Sequence, residues 1–287
     1  MKKIQFLDSF WLKVLAVIFM TIDHIGLLFF QRGTVDINTD FYILRAIGKL
    51  AFPIFAFLAV ESAFKTTHIK RYLSRLFAMA IGLDIIGFLF GFIAGLTPDK
   101  NYLLGNPFWD LFLGVLAIDL LRKKNKYSLF ALIPVTLAVL SDVDVPFYGS
   151  LFKADWGTFS IVLFLCFYLF RILVDLYLKN KAVKDGLEPE TYLMQSGQNV
   201  HNVSAAVALL SVELMFYLVW RMWYDCPFLP GDFVPIGTYG TLASLFFLLY
   251  NGKRGYDNKV IRSCFYSYFP LHLLILGLLS MSFGVLA

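Results

Sequence analysis

Asp23 and His24 lie inside one apolar run of the chain, and Arg45 and Lys49 lie inside the next. Carboxylate, imidazole, guanidinium and ammonium are the groups of acid–base catalysis and of stabilising a developing negative charge. Their depths can be compared from helix geometry. With the first helix ending near Phe30, a rise of about 1.5 Å per residue puts His24 roughly 9 Å below that end. The second run starts near Phe41 and travels back, so Arg45 lies roughly 6 Å and Lys49 roughly 12 Å below the same level. Arg45 and Lys49, at i and i+4, share a helix face. Consecutive helices on a short connection pack as neighbours, so the four side chains should share one layer. A neutralised ion pair with a hydrogen-bonded core histidine is the plainer explanation for any one pair. Four such groups at one depth favour a functional site.

Other ionisable residues sit in apolar runs, where insertion is costly. They are Glu61, Asp84, Asp110, Asp119, Arg171, Asp175, Glu213, Arg221 and His272. His272 follows Pro270, which frees a backbone carbonyl, so the ring either caps that carbonyl or serves a site. Glu61 is expected to pair with a nearby Lys or Arg, and Arg171 with Asp175 four residues on. Asp84, Asp119 and Glu213 lack sequence-local partners and are candidates to line a polar cavity. A second kind of cluster is basic: Lys65, Lys70, Arg71 and Arg75, with Lys253 and Arg254 between Gly252 and Gly255. Cations beside glycines suit a phosphorylated ligand. Membrane orientation and anionic lipid contact explain the same residues without one.

The elements that must position these groups follow from composition. Of 287 residues, 59 % are hydrophobic, 18 % aromatic and 16 % charged, with mean hydropathy +0.71. A charged share well under the usual value of about 25 % excludes a disordered chain and leaves too much apolar surface for one soluble core. Cys166, Cys226 and Cys264 match neither a metal spacing nor a disulfide framework. Nine segments approach the roughly 20 apolar residues of a membrane helix. They are 10–30, 41–63, 72–96, 107–121, 127–141, 157–178, 200–223, 234–250 and 262–285. Met1-Lys2-Lys3 before an apolar stretch imitates a signal peptide, but Asp23 and His24 interrupt it and no small-x-small site follows. A retained first span is expected. With the amino terminus inside, inner segments carry seventeen basic residues and outer segments only Arg32, Lys100 and Lys153. The expectation is therefore an all-α polytopic membrane bundle of about nine helices forming a single domain over 1–287. Its amino terminus is inside and its carboxy terminus outside. No inverted pair of broken helices of the transporter kind is visible.

Several blocks resemble the TraX family. They are Asp23-His24-Ile25-Gly26, the run from Arg45 through Gly48-Lys49 and Pro53 to Phe57, and Val60-Glu61-Ser62. Arg71-Tyr72-Leu73, Asp155-Trp156-Gly157, Tyr250 to Gly255 and Phe265 to Leu273 continue the likeness. The family pattern has Arg where Lys49 stands and Gly where Ser62 stands. The resemblance implies an integral membrane acetylase, the founding member acting on the amino terminus of a conjugative pilin. It implies acetyl-CoA as acyl donor and a multi-pass protein of the bacterial plasma (inner) membrane. The acceptor would be an amine or hydroxyl on a membrane-associated or extracytoplasmic molecule: a peptide amino terminus, a glycan or a lipid-linked compound. His24 would be general base or nucleophile, with Asp23 setting its tautomer. Arg45 or Lys49 would hold the oxyanion and His272 would meet the thioester. Lys65, Lys70, Arg71, Arg75, Lys253 and Arg254 would bind the phosphates. No metal and no nucleic acid is expected. The alternatives are a transporter or flippase for a small or lipid-linked substrate, and a structural partner in secretion or pilus assembly.

Overall fold

The computed structural model describes residues 4–30, 39–93, 105–123, 125–142, 153–223 and 236–283. Arg32, Lys100 and Cys226 lie outside them, as do Lys2, Lys3 and Lys124. Ten α-helices are described. They are α1 (Ser9–Ile25), α2 (Thr39–Gly48), α3 (Ala51–Lys65), α4 (Ile69–Ile93), α5 (Pro107–Arg122), α6 (Leu132–Leu140), α7 (Gly157–Lys184), α8 (Pro189–Trp223), α9 (Ala243–Leu248) and α10 (Lys259–Ser282). A π turn, Gly26–Phe30, prolongs α1, and 3₁₀ turns at Lys126–Ala131 and Ile236–Leu242 lead into α6 and α9.

The chain is an all-α polytopic membrane bundle. Six helical stretches are long and apolar enough to cross a bilayer: Ser9–Phe30, Asp40–Lys65, Ile69–Leu89, Gly157–Lys184, Pro189–Val219 and Lys259–Ser280. The three remaining expected segments are also helical but shorter, α5 having 16 residues. Large apolar side chains such as Phe88, Leu173 and Leu278 lie more than half exposed, as lipid-facing residues must.

The second stretch departs from an uninterrupted helix. It breaks at Lys49-Leu50 because Pro53 has no N–H for the Lys49 carbonyl. The chain tightens instead, Leu50 N donating to the Ile47 carbonyl at 3.3 Å, and α3 restarts at Ala51.

Two compact units can be described, each by itself. Met1–Phe55 with Leu169–Ala287 forms the first and Ala56–Tyr168 the second. In the first unit α1 turns Leu12, Ala16 and Met20 inward, one residue per turn. Asp8 caps that helix, accepting from Trp11 N at 3.0 Å. A short backbone ladder fastens its start to a distant loop: Leu7 N to Leu249 O (3.0 Å), Asn251 N to Leu7 O (2.8 Å) and Ser9 N to Lys253 O (2.9 Å). In the second unit Leu113, Ala117, Ala138 and Ile161 form a buried cluster, and Gly114 leaves room for the Phe164 ring.

Candidate active site

Two glycines bring the first two helices together. A Cβ on Gly48 would stand 2.2 Å from Cβ of Asp23, and one on Gly26 would stand 2.9 Å from Cβ of Leu44. Only hydrogen fits at either place, so α1 and α2 approach closely enough for the Asp23 carboxylate to form an ion pair with the Arg45 guanidinium. Lys49 acts electrostatically on both Asp23 and His24. The four expected side chains therefore do share one neighbourhood, all within the first unit.

His272 joins them directly. Its Nε2 lies 3.0 Å from Nδ1 of His24, and its Nδ1 lies 3.0 Å from the Tyr268 carbonyl. The carbonyl can only accept, so the Nδ1 proton of neutral His272 is donated to it. Nε2 of His272 is then an acceptor, and Nδ1 of His24 must be the donor. Neutral His24 is left with its lone pair on Nε2. His272 thus takes the tautomer-setting place expected of Asp23, whose carboxylate goes to Arg45. The carbonyl it caps is that of Tyr268, four residues back, not the Tyr266 carbonyl whose partner Pro270 lacks. Tyr268 also stacks on the His272 ring, with centroids 5.0 Å apart and planes at 12°. Its hydroxyl lies 2.7 Å from Thr21 Oγ1. The Thr21 hydroxyl donates to the Val17 carbonyl at 2.8 Å, so Tyr268 is the donor. Phe269 closes the site edge-on to both imidazoles. Thr21 and Tyr268 escaped the sequence reading, although each lies one helical turn before a histidine.

Glu213 reaches the same layer. Its Oε1 is 2.6 Å from where a Cβ on Gly240 would stand, and the Lys49 carbonyl is 3.3 Å from that point. Glu213 is only 4 % exposed, and Oε1 has no hydrogen-bond partner among the described residues.

The other intramembrane charges build scaffold. Asp84 uses both oxygens, accepting from Asn106 Nδ2 and from Trp109 Nε1, each at 2.7 Å. Asn106 in turn caps α5 through Phe108 N at 3.1 Å. Asp84 therefore fastens α4 to α5. Asp119 has a sequence-local partner after all, Lys123 at 3.5 Å. Glu61 pairs with Lys65 at 2.6 Å, as expected. Asp110 accepts from the amides of Asp155 (2.8 Å) and Trp156 (3.2 Å), while Asp142 accepts from Thr158 N at 2.7 Å. These bonds hold the turn before α7, where Gly157 takes φ +45° against the Asp142 carboxylate. Asp175 meets His201 Nε2 at 2.7 Å, a partner on α8 that the i, i+4 spacing to Arg171 did not reveal.

The basic residues fall in different units. Lys65, Lys70, Arg71 and Arg75 are exposed on and just before α4 in the second. Lys253 and Arg254 stand in the loop of the first, Arg254 facing Asp257 at 3.7 Å. The glycines of that loop face the protein's own side chains. A Cβ on Gly252 (φ +77°) would meet Gln198 at 2.5 Å, and one on Gly255 (φ +69°) would meet Asp8 at 2.4 Å. They make room for the protein's own side chains.

A model of the family described as TraX protein matches residues 9–181, more than half of the chain. The chain belongs to the TraX family. A probable fimbrial assembly protein FimC, serogroup H1, from Dichelobacter nodosus is 26 % identical over 273 residues, covering 94 % of each chain. No solved structure matches. The blocks that carry the resemblance, the last of them beyond the matched residues 9–181, divide by what they touch. Asp23 to Gly26, Arg45 to Lys49 and Tyr268 to His272 build the polar layer, whereas Asp155-Trp156-Gly157 shapes the turn before α7.

Proposed function

We propose that this TraX protein is a membrane-embedded acetyltransferase of the bacterial plasma membrane, moving an acetyl group from acetyl-CoA to an amine or hydroxyl of a membrane-associated or extracytoplasmic acceptor. The observation that carries this reading is the chain from the Tyr268 carbonyl through His272 to His24. It holds His24 Nε2 as a proton acceptor beside Arg45 and Lys49. His24 takes the acceptor's proton as its oxygen or nitrogen attacks the thioester carbonyl carbon. Arg45 or Lys49 holds the oxyanion, strengthened by the low surrounding dielectric. The C–S bond then breaks, and the proton on His24 passes to the departing thiolate. The donor's phosphates are bound by basic residues of one unit, either Lys253 and Arg254 of the first or Lys65, Lys70, Arg71 and Arg75 of the second. The similarity to a fimbrial assembly protein makes a pilin or fimbrial subunit the first acceptor to try.

The deciding experiment is acetyl transfer from labelled acetyl-CoA to the amino terminus of a fimbrial peptide by purified protein. Transfer abolished in His24→Ala supports the reading, and undiminished transfer in that variant overturns it. A transporter or flippase is favoured by one feature, the interrupted α2–α3 stretch, because broken helices often form transport sites. Counterflow of a lipid-linked substrate without acyl chemistry would decide for it.

A further inference from the structure

Where α1 and α10 begin, cations outnumber the carboxylates that could balance them. Asp257 accepts from Arg262 Nε at 2.8 Å and faces Arg254 Nη1 at 3.7 Å. That single carboxylate is shared by two arginines. Lys13 lies one turn inside α1, half-buried, with its Nζ 5.8 Å from the centroid of the Phe265 ring. It feels Asp257, Arg262 and Arg254 electrostatically but forms no ion pair among the described residues. Asp8, the other carboxylate at this corner, is engaged in capping α1. Lys13, Arg254 and Arg262 against the two carboxylates of Asp257 and Asp8 leave an excess of positive charge at one place, which favours an anion there.

Aromatic side chains flank it. Phe10 meets the rings of Trp11, Tyr256 and Phe265 edge-on at 5.4, 5.5 and 6.0 Å. Tyr256 is 70 % exposed and offers a ring to a planar base. A lysine serving only membrane orientation extends its ammonium into open water. Lys13 is instead held under Phe265, toward the arginines.

We infer that this corner receives the phosphorylated nucleotide end of the acyl donor. Lys13, Arg254 and Arg262 bind the phosphate ester, and Tyr256 stacks on the purine. The inference rests on the acetyl-CoA reading above and adds Lys13, Tyr256 and Arg262 to it. The recognised chemistry, a phosphate ester, is shared with anionic lipid headgroups, so the test separates the two.

The full-length protein in detergent is titrated calorimetrically with adenosine 3′,5′-bisphosphate, as wild type and as Lys13→Gln, Arg262→Gln and Tyr256→Ala. Tyr256→Ala changes an exposed ring and so guards against a folding artefact. The expected result is binding by the wild type that weakens about tenfold in each variant. Equal affinity in all four proteins overturns the inference. So does a wild type that ignores the nucleotide yet binds phosphatidylglycerol vesicles through Lys13 and Arg262. A kinetic arm adds that the wild type prefers acetyl-CoA to S-acetylpantetheine and that the variants narrow this preference about tenfold. If the wild type transfers no acetyl group but still binds the nucleotide through Lys13, the donor reading fails while the anion site stands.

Discussion

Nε2 of His272 and Nδ1 of His24 lie 3.0 Å apart, and the Tyr268 carbonyl behind His272 fixes which ring donates. In the proposed reaction the second histidine positions the first. His24→Ala should lower acetyl transfer by about 10²–10⁴, the usual contribution of a general base. His272→Ala should lower it less, and the double variant no further than His24→Ala alone, because the pair acts as a unit. Single-turnover transfer from labelled acetyl-CoA checks all three.

The glycine contacts give a stability series. Gly48→Ala would push a methyl into Asp23 and Gly240→Ala would push one into Glu213. Each should cost about 1–3 kcal/mol of overpacking. Gly82, a helical glycine with nothing within 4 Å of its would-be Cβ, is the control. Gly82→Ala should be neutral or stabilising by up to about 1 kcal/mol. Thermal unfolding in one detergent ranks them.

Asp84→Ala removes the acceptor for Trp109 Nε1 and one of the two for Asn106 Nδ2, which keeps the Ala80 carbonyl at 2.8 Å. Leaving buried donors unmet costs about 1–3 kcal/mol, so the melting temperature should fall. Since Asp84 ties α4 to α5 within the second unit and the histidines belong to the first, the KM for acceptor should hold in the protein that remains folded.

Lys49 separates charge from shape. Lys49→Arg keeps a cation near Asp23 and His24 and should retain transfer, whereas Lys49→Met should lower kcat more than it raises KM. Equal kcat in Lys49→Met and wild type would remove Lys49 from oxyanion stabilisation. Steady-state kinetics on a soluble acceptor peptide distinguishes the outcomes.

Much of this was legible in the sequence, for identifiable reasons. Hydropathy located the nine helical segments because lipid tolerates few alternatives to helix. Helix rise alone placed Asp23, His24, Arg45 and Lys49 in one layer, because depth is a one-dimensional quantity. Which helix faces which is not one-dimensional, and there the reading stopped. His272 could be given a depth but not a neighbour, since α10 and α1 stand 248 residues apart at that contact. Asp84 found partners 22 and 25 residues away, beyond any local spacing rule. The break at Lys49 was written in Pro53, but a proline near a helix start is as compatible with continuation as with interruption. Gly252 and Gly255 were read as openings for a ligand. Gln198 and Asp8, distant in the chain, already stand there.

The ladder from Leu7 and Ser9 to Leu249, Asn251 and Lys253 has a consequence for biosynthesis. The Asp23–Arg45 pair joins two helices that emerge from the ribosome in succession, so it can close early. The second imidazole arrives 248 residues after the first. At about 5–20 residues per second this is a delay of roughly 12–50 s. For most of that interval the first helix sits in the bilayer with neither its histidine partner nor the loop that anchors its start. The polar layer is completed only when α10 arrives, so a chain that stops short of it carries Asp23, His24, Arg45 and Lys49 without the second imidazole.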